Sequence, residues 1–145
     1  METNHRLVTI GNYVLSSLTL GEGSFSKVKV ARHKVLEKNV AVKIIKKSSI
    51  TDSYVARNME REAKILSKLY HKNVVRLFEV ATSDTLYCLI MEYFPGGSLC
   101  DLIQDKGKLK EEDARLYFRQ VMSGLSYIHS KVIFYFIIIK TYCLL

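Results

Sequence analysis

A lysine stands in the middle of an apolar, β-branched run, Val40-Ala-Val-Lys43-Ile-Ile45. The run predicts a strand in which Ala41, Lys43 and Ile45 share one face. A lysine there either lies at a solvated sheet edge or is matched by an anion, because a lone buried charge is costly. The next predicted element is a helix from about Tyr54 to Leu69, capped by Thr51, Asp52 or Ser53. Val55, Met59, Leu66 and Leu69 follow a four-three spacing, and the missing member of that stripe is Glu62. Glu60, Arg61, Lys64 and Lys68 fall on the other faces. A carboxylate within an apolar stripe should have a cationic partner, and Lys43 is its natural mate. The alternative is an exposed lysine and a glutamate on a face turned to solvent.

The elements around this pair organise the chain. Tyr13–Leu20 and Lys27–Val30 read as strands before it, and Val74–Val80 and Thr85–Glu92 as strands after it. Hairpin connections are expected at 21–24 and 36–39. The only proline lies in Tyr93-Phe-Pro-Gly-Gly97, a hinge. Helices follow from Ser98 to about Asp105 and from Glu111 to about Ser130. The second has Ala114, Phe118, Val121, Leu125 and Ile128 on one stripe, and Glu111, Glu112 and Asp113 where the helix dipole favours them.

With 145 residues, 48% hydrophobic and 25% charged, the chain suits one domain and excludes a disordered or disulfide-scaffold class. Cys88, Cys100 and Cys143 are widely spaced, without a CxxC pair, so reduced thiols in a cytoplasmic or nuclear protein are expected. The N-terminus lacks the apolar core of a secretory signal. The longest apolar run, Val132–Ile139, is far below the roughly 18 residues of a membrane span, so no transmembrane segment is expected. A net charge of +8 makes polyanions worth testing. The basic residues are interleaved without an aromatic stacking pattern, so no nucleic-acid partner is expected.

Leu20-Gly-Glu-Gly-Ser-Phe-Ser-Lys-Val28 joins two predicted strands. Gly21 and Gly23 fit an ordinary hairpin turn, and they equally fit a loop whose backbone approaches a phosphate. The glycines lead into a strand rather than a helix, which excludes a dinucleotide-binding turn.

Taken together, the glycine loop, Val40-Ala-Val-Lys43, Arg61-Glu62, His71-Lys-Asn73, Leu89-Ile-Met-Glu-Tyr-Phe94 and Gly96-Gly-Ser-Leu99 resemble the small lobe of a protein kinase. Order and spacing agree over about Tyr13–Ile133, and the texture is similar to the AMP-activated-kinase-related branch of the calcium/calmodulin-kinase group, of serine/threonine type. The resemblance implies an α+β fold: a five-stranded antiparallel sheet with one helix, followed by the first helices of an incomplete helical lobe. It divides the chain into an arm (1–11), small lobe (12–92), hinge (93–97), the start of the large lobe (98–133) and an apolar tail (134–145). It implies ATP as ligand, with Mg2+ and a protein substrate belonging to the full-length family. Leu20, Gly21, Glu22, Gly23, Ser24, Phe25 and Ser26 would cover the phosphates. Lys43 would contact the α- and β-phosphates, with Glu62 holding it. Val28 and Ala41 would sandwich the adenine, Met91 would close the back of the pocket, and the backbone of Glu92 and Phe94 would bond the adenine edge. Leu66 and Leu77 would join the apolar column between lobes.

The sequence departs from the family pattern at several points. Ser26 replaces the third glycine, Lys72 the usual proline, and Ser98 the acidic or amide residue that touches the ribose. After Tyr127-Ile-His-Ser-Lys131 the H-R-D-x-x-x-x-N loop is expected, but the residues read Phe134-Tyr-Phe-Ile-Ile-Ile-Lys-Thr-Tyr-Cys-Leu-Leu145. Neither that loop nor an Asp-Phe-Gly segment occurs in the 145 residues, so the chain is expected to be truncated and inactive alone.

Overall fold

The computed structural model describes residues 8–50 and 53–131, with the backbone alone at 53–56 and 58. The proposed caps Thr51 and Asp52, the side chains of Ser53 and Val55, and the tail 134–145 therefore lie outside what is described. The described residues form two compact units: those before Lys68 with Leu77–Tyr93, and Lys68–Arg76 with those after Tyr93.

The first unit is an antiparallel sheet of six strands in the order β1-β2-β3-β4-β6-β5. They are β1 (Thr9–Ile10), β2 (Tyr13–Glu22), β3 (Ser26–His33), β4 (Asn39–Lys46), β5 (Leu77–Thr82) and β6 (Leu86–Glu92). The sixth strand is β1, inside the expected arm: Gly11, at φ 53°, makes the tight turn that pairs Ile10 with Tyr13. Helix α1 (Ser53–Leu66) links β4 to β5 and ends a turn earlier than its apolar spacing suggests. β5 starts at Leu77 rather than Val74, because Val74 N–H is held in a turn by the His71 carbonyl.

The period of two in β4 sends its residues to two cores. Val40 and Val42 join Tyr13, Ala31, Cys88 and Ile90 on one face. The other face carries Ala41, Lys43 and Ile45, which pair with Met91, Leu89 and Tyr87 of β6. There Leu77, Leu89 and Ala63 of α1 form the second core, flanked by Leu66, Tyr87 and Met91. The sheet curls until the Tyr13 hydroxyl of β2 donates to Glu79 Oε2 of β5 at 3.0 Å. Burial first, then that bond and the Glu79 charge, pushes the Tyr13 phenol up from its usual value. Lys29 steadies the register shift in β2 by donating to the Ser16 and Ser17 carbonyls at 3.1 and 3.4 Å.

The second unit contains α2 (Leu99–Lys106) and α3 (Glu111–Ser130). Ser98 caps α2 in a capping box: its hydroxyl accepts from Asp101 N–H, and Asp101 accepts from Ser98 N–H. On α3 the buried residues are Tyr117, Gly124 and Ile128, whereas Ala114 and Phe118 of the expected stripe are exposed. The contact line is thus turned by roughly 60° from the apolar stripe. Gly124 is the reason. A Cβ there would stand 2.8 Å from the Asn73 carbonyl oxygen, so only glycine admits this approach of helix to loop. His71 completes the contact by stacking on Tyr127 at 4.9 Å.

Candidate functional site

Lys43 lies on the α1-covered side of β4, opposite Val28 of β3 and Leu89 of β6. Its ammonium reaches Glu62 Oε1 at 3.3 Å. The pair expected from the sequence therefore forms, but it is not buried. The Lys43 side chain is 27% exposed and the Glu62 side chain 46%. Ala63, not Glu62, occupies the contact line of α1, with Met59 and Leu66 half-buried beside it. Alanine's small side chain lets helix and sheet approach closely, and that leaves Glu62 at the rim of the interface. An ion pair this open contributes about 0–1 kcal/mol to stability. Its value is positional: it holds an ammonium over an otherwise apolar sheet face.

That face is smooth around Lys43. Ala41 is buried and pairs with Val30, and Val28 is half-buried and pairs with Gly21 of β2. Met91 is half-buried and packs on the second core. Leu20 is half-buried, and Glu92 is the last residue of β6. Phe94 falls in the second unit.

The glycine loop is a tight hairpin. Gly23 N–H donates to the Ser26 carbonyl at 2.8 Å, and Ser26 N–H returns a longer bond of 3.4 Å. Ser24 and Phe25 form the exposed tip. Glu22 and Lys27 pair across the hairpin, and that contact holds the Glu22 carboxyl below its usual range. Gly21 and Gly23 both have ordinary negative or extended φ, so the turn does not demand glycine for its backbone. An added Cβ at Gly21 would meet nothing within 4 Å. The space beside Gly21 is therefore open on the same face as Val28 and Lys43, as a cradle for an approaching anion requires.

Ser98, which stands in place of the family's ribose-touching acidic or amide residue, has its hydroxyl committed elsewhere. It donates to Asp101 Oδ2 at 2.6 Å while capping α2. Two contributors are not legible in the sequence. Ala63 was hidden because a small residue carries no hydrophobic signal, and Tyr87 because it reads as one more strand aromatic. Tyr87 shares the Lys43 face, packs on the second core, and lines a cavity of about 250 Å³ with Lys47, Ile50, Met59 and Glu60. Burial, then the charges of Glu60 and Glu62, pushes its phenol up.

Comparison with known proteins agrees with this geometry. The protein kinase domain family matches residues 15–138. The hormonally up-regulated neu tumor-associated kinase of Homo sapiens is 40% identical over 121 residues, covering 83% of this chain and 17% of the relative. The CBL-interacting serine/threonine-protein kinase 1 of Arabidopsis thaliana is 45% identical over 126 residues, covering 87% and 28%. The SNF1-related protein kinase catalytic subunit alpha KIN12 of Arabidopsis thaliana is 41% identical over 133 residues, covering 91% and 27%. The chain thus spans 17% to 28% of the length of these curated relatives. The ammonium–carboxylate pair, the glycine hairpin and the order of strands around them have one common explanation: the chain belongs to the protein kinase family.

Proposed function

We propose that this chain is the ATP-binding part of a serine/threonine protein kinase. The carrying observation is the 3.3 Å Lys43–Glu62 contact on a sheet face otherwise lined by small and apolar residues. In this reading Lys43 neutralises the α- and β-phosphates while Glu62 keeps the ammonium extended toward them. The loop 20–26 lies over the phosphates, and the gap beside Gly21 leaves room for them. Val28 and Ala41 hold the adenine by apolar contact, Met91 limits the depth of the pocket, and the backbone of Glu92 bonds its edge.

The residues do not fit Mg2+ equally well. Among the described residues no group of three His, Cys, Asp or Glu could hold a metal ion. The 145 residues also contain no His-Arg-Asp or Asp-Phe-Gly segment to supply the base and the metal ligands. A second reading for the chain as it stands is an ATP-binding module without phosphoryl transfer that acts as a decoy for a kinase's partners. A radiolabelled-phosphate assay on purified 1–145 with a generic serine/threonine peptide tests whether these residues transfer phosphate on their own. No incorporation above the Lys43→Met background is expected. Magnesium-dependent turnover that disappears in Lys43→Met would refute the inactive reading.

A further inference from the structure

The turn between β3 and β4 carries apolar residues where turns ordinarily carry Gly, Asn, Asp or Ser. It reads His33-Lys-Val-Leu-Glu-Lys38. Val35 is 77% exposed, more than any other large hydrophobic side chain among the described residues, and Leu36 is 64% exposed. Neither side chain is needed to close the turn. His33 N–H donates to the Lys38 carbonyl and Glu37 N–H to the His33 carbonyl, both at 2.9 Å. The N–H groups of Val35 and Leu36 donate to His33 Nδ1 at 3.2 and 3.1 Å. The His33 ring in turn stands edge-on to Tyr13 of the first core, at 5.0 Å. Lys34 ties the turn to its neighbour, donating from its N–H to the Asn12 carbonyl at 2.8 Å and from Nζ to the Gly11 carbonyl at 3.0 Å. Two aliphatic side chains are therefore held outward on a fixed backbone, and presenting them to a ligand costs little ordering entropy.

The charges around the tip identify the ligand. Lys34 and Lys38 flank the two apolar residues, and both are exposed. The partner of Lys34 Nζ is a neutral carbonyl, so its charge is not cancelled. Glu37, the turn's one carboxylate, is paired with Arg32 at 3.2 Å. The tip is thus an apolar point in a positive collar, on a chain of net charge +8. Two aliphatic side chains cover far less than the roughly 800 Å² that each partner buries in a standard protein interface. A lipid interface needs no matching surface: apolar side chains enter the acyl boundary while lysines meet anionic headgroups. We propose that the β3–β4 turn docks on an anionic lipid bilayer, with Val35 and Leu36 inserted and Lys34 and Lys38 against the headgroups. None of these four residues belongs to the proposed nucleotide site, so the two readings stand or fall separately.

The test floats the whole 145-residue chain with vesicles of phosphatidylcholine, with and without phosphatidylserine. Binding should require phosphatidylserine and weaken with added salt. The double variant Val35→Asp/Leu36→Asp should lose it at an unchanged melting temperature, and Lys38→Gln should lower the binding constant about fivefold. The chain has no tryptophan. Leu36→Trp therefore places a single fluorophore at the tip, and Phe118→Trp a control on α3, where the native side chain is 65% exposed. With phosphatidylserine vesicles the Leu36→Trp emission should shift to the blue and be quenched by brominated lipid, and the Phe118→Trp emission should do neither. Equal binding to phosphatidylcholine alone, binding that survives in the double variant, or a shift at position 118 without one at 36 would each overturn the proposal. An unshifted Leu36→Trp emission would overturn it too, and would leave the tip to a protein partner.

Discussion

Gly21 and Tyr13 show how differently single residues can be employed. The fold asks nothing of glycine at position 21: its φ is not in the left-handed region and a Cβ would meet open space. Gly21→Ala should therefore hold or slightly raise the melting temperature, because alanine gives up less chain entropy in a strand, by roughly 0.5–1 kcal/mol. It should weaken ATP binding about tenfold if a phosphate fills that space. Equal losses in both readouts would contradict this division. Tyr13 is a purely structural case. Its phenol is pushed up on folding, so the neutral form is the one the fold favours. That stability is complete below the unfolded value near pH 10 and is lost as pH rises through the higher folded value. Tyr13→Phe should cost about 1 kcal/mol at pH 7, from the lost bond to Glu79. It should also flatten the alkaline fall in melting temperature, which a pH series of thermal melts reads directly.

At the scale of elements, the sequence identifies strands and helices better than it identifies their contact lines. β-branched runs and turn residues place β2, β3, β4 and β6, and α3 spans Glu111–Ser130 as its pattern predicts. What the pattern misplaces is which side of a helix packs. On α1 the apolar spacing points to position 62, and the contact is Ala63. On α3 it points to Phe118, which is 65% exposed, and the contact is Gly124. In both helices the smallest side chain marks the closest approach, and hydrophobic periodicity is blind to small residues. Gly124→Ala measures this. Overpacking costs about 1–3 kcal/mol, while alanine regains about 1 kcal/mol of helix propensity. The strain should win, and the variant should be less stable. A stabilised Gly124→Ala would contradict the 2.8 Å clash with Asn73. The Ser98 cap belongs to this scale as well. Ser98→Ala should cost α2 about 1 kcal/mol. The Ser98 hydroxyl and N–H hold the Asp101 carboxyl below its ordinary value. The contribution of the box is thus present above the unfolded carboxyl value and is lost as pH falls through the lower folded one. Melts between pH 2 and 6 should show that acid loss in the wild type and a smaller one in Ser98→Ala, whose backbone N–H still reaches Asp101.

For the whole molecule, the candidate site is legible from residue types and spacing, but its electrostatics are not. Lys43 and Glu62 point to each other in the sequence because each is out of place in an apolar element. Spacing alone makes them a buried pair, whereas the structure leaves them open at the rim, since Ala63 takes the position beneath. An open pair contributes little to folding, so an ammonium on this apolar face is better explained by what it can hold. The most direct measurement is a calorimetric titration of the 145-residue chain with ATP, beside Lys43→Met and Glu62→Gln. The account predicts saturable binding at one site, at least tenfold weaker in Lys43→Met and more mildly weakened in Glu62→Gln, with melting temperatures within a degree or two of wild type. Absence of saturable binding, or equal affinity in wild type and Lys43→Met, would contradict it.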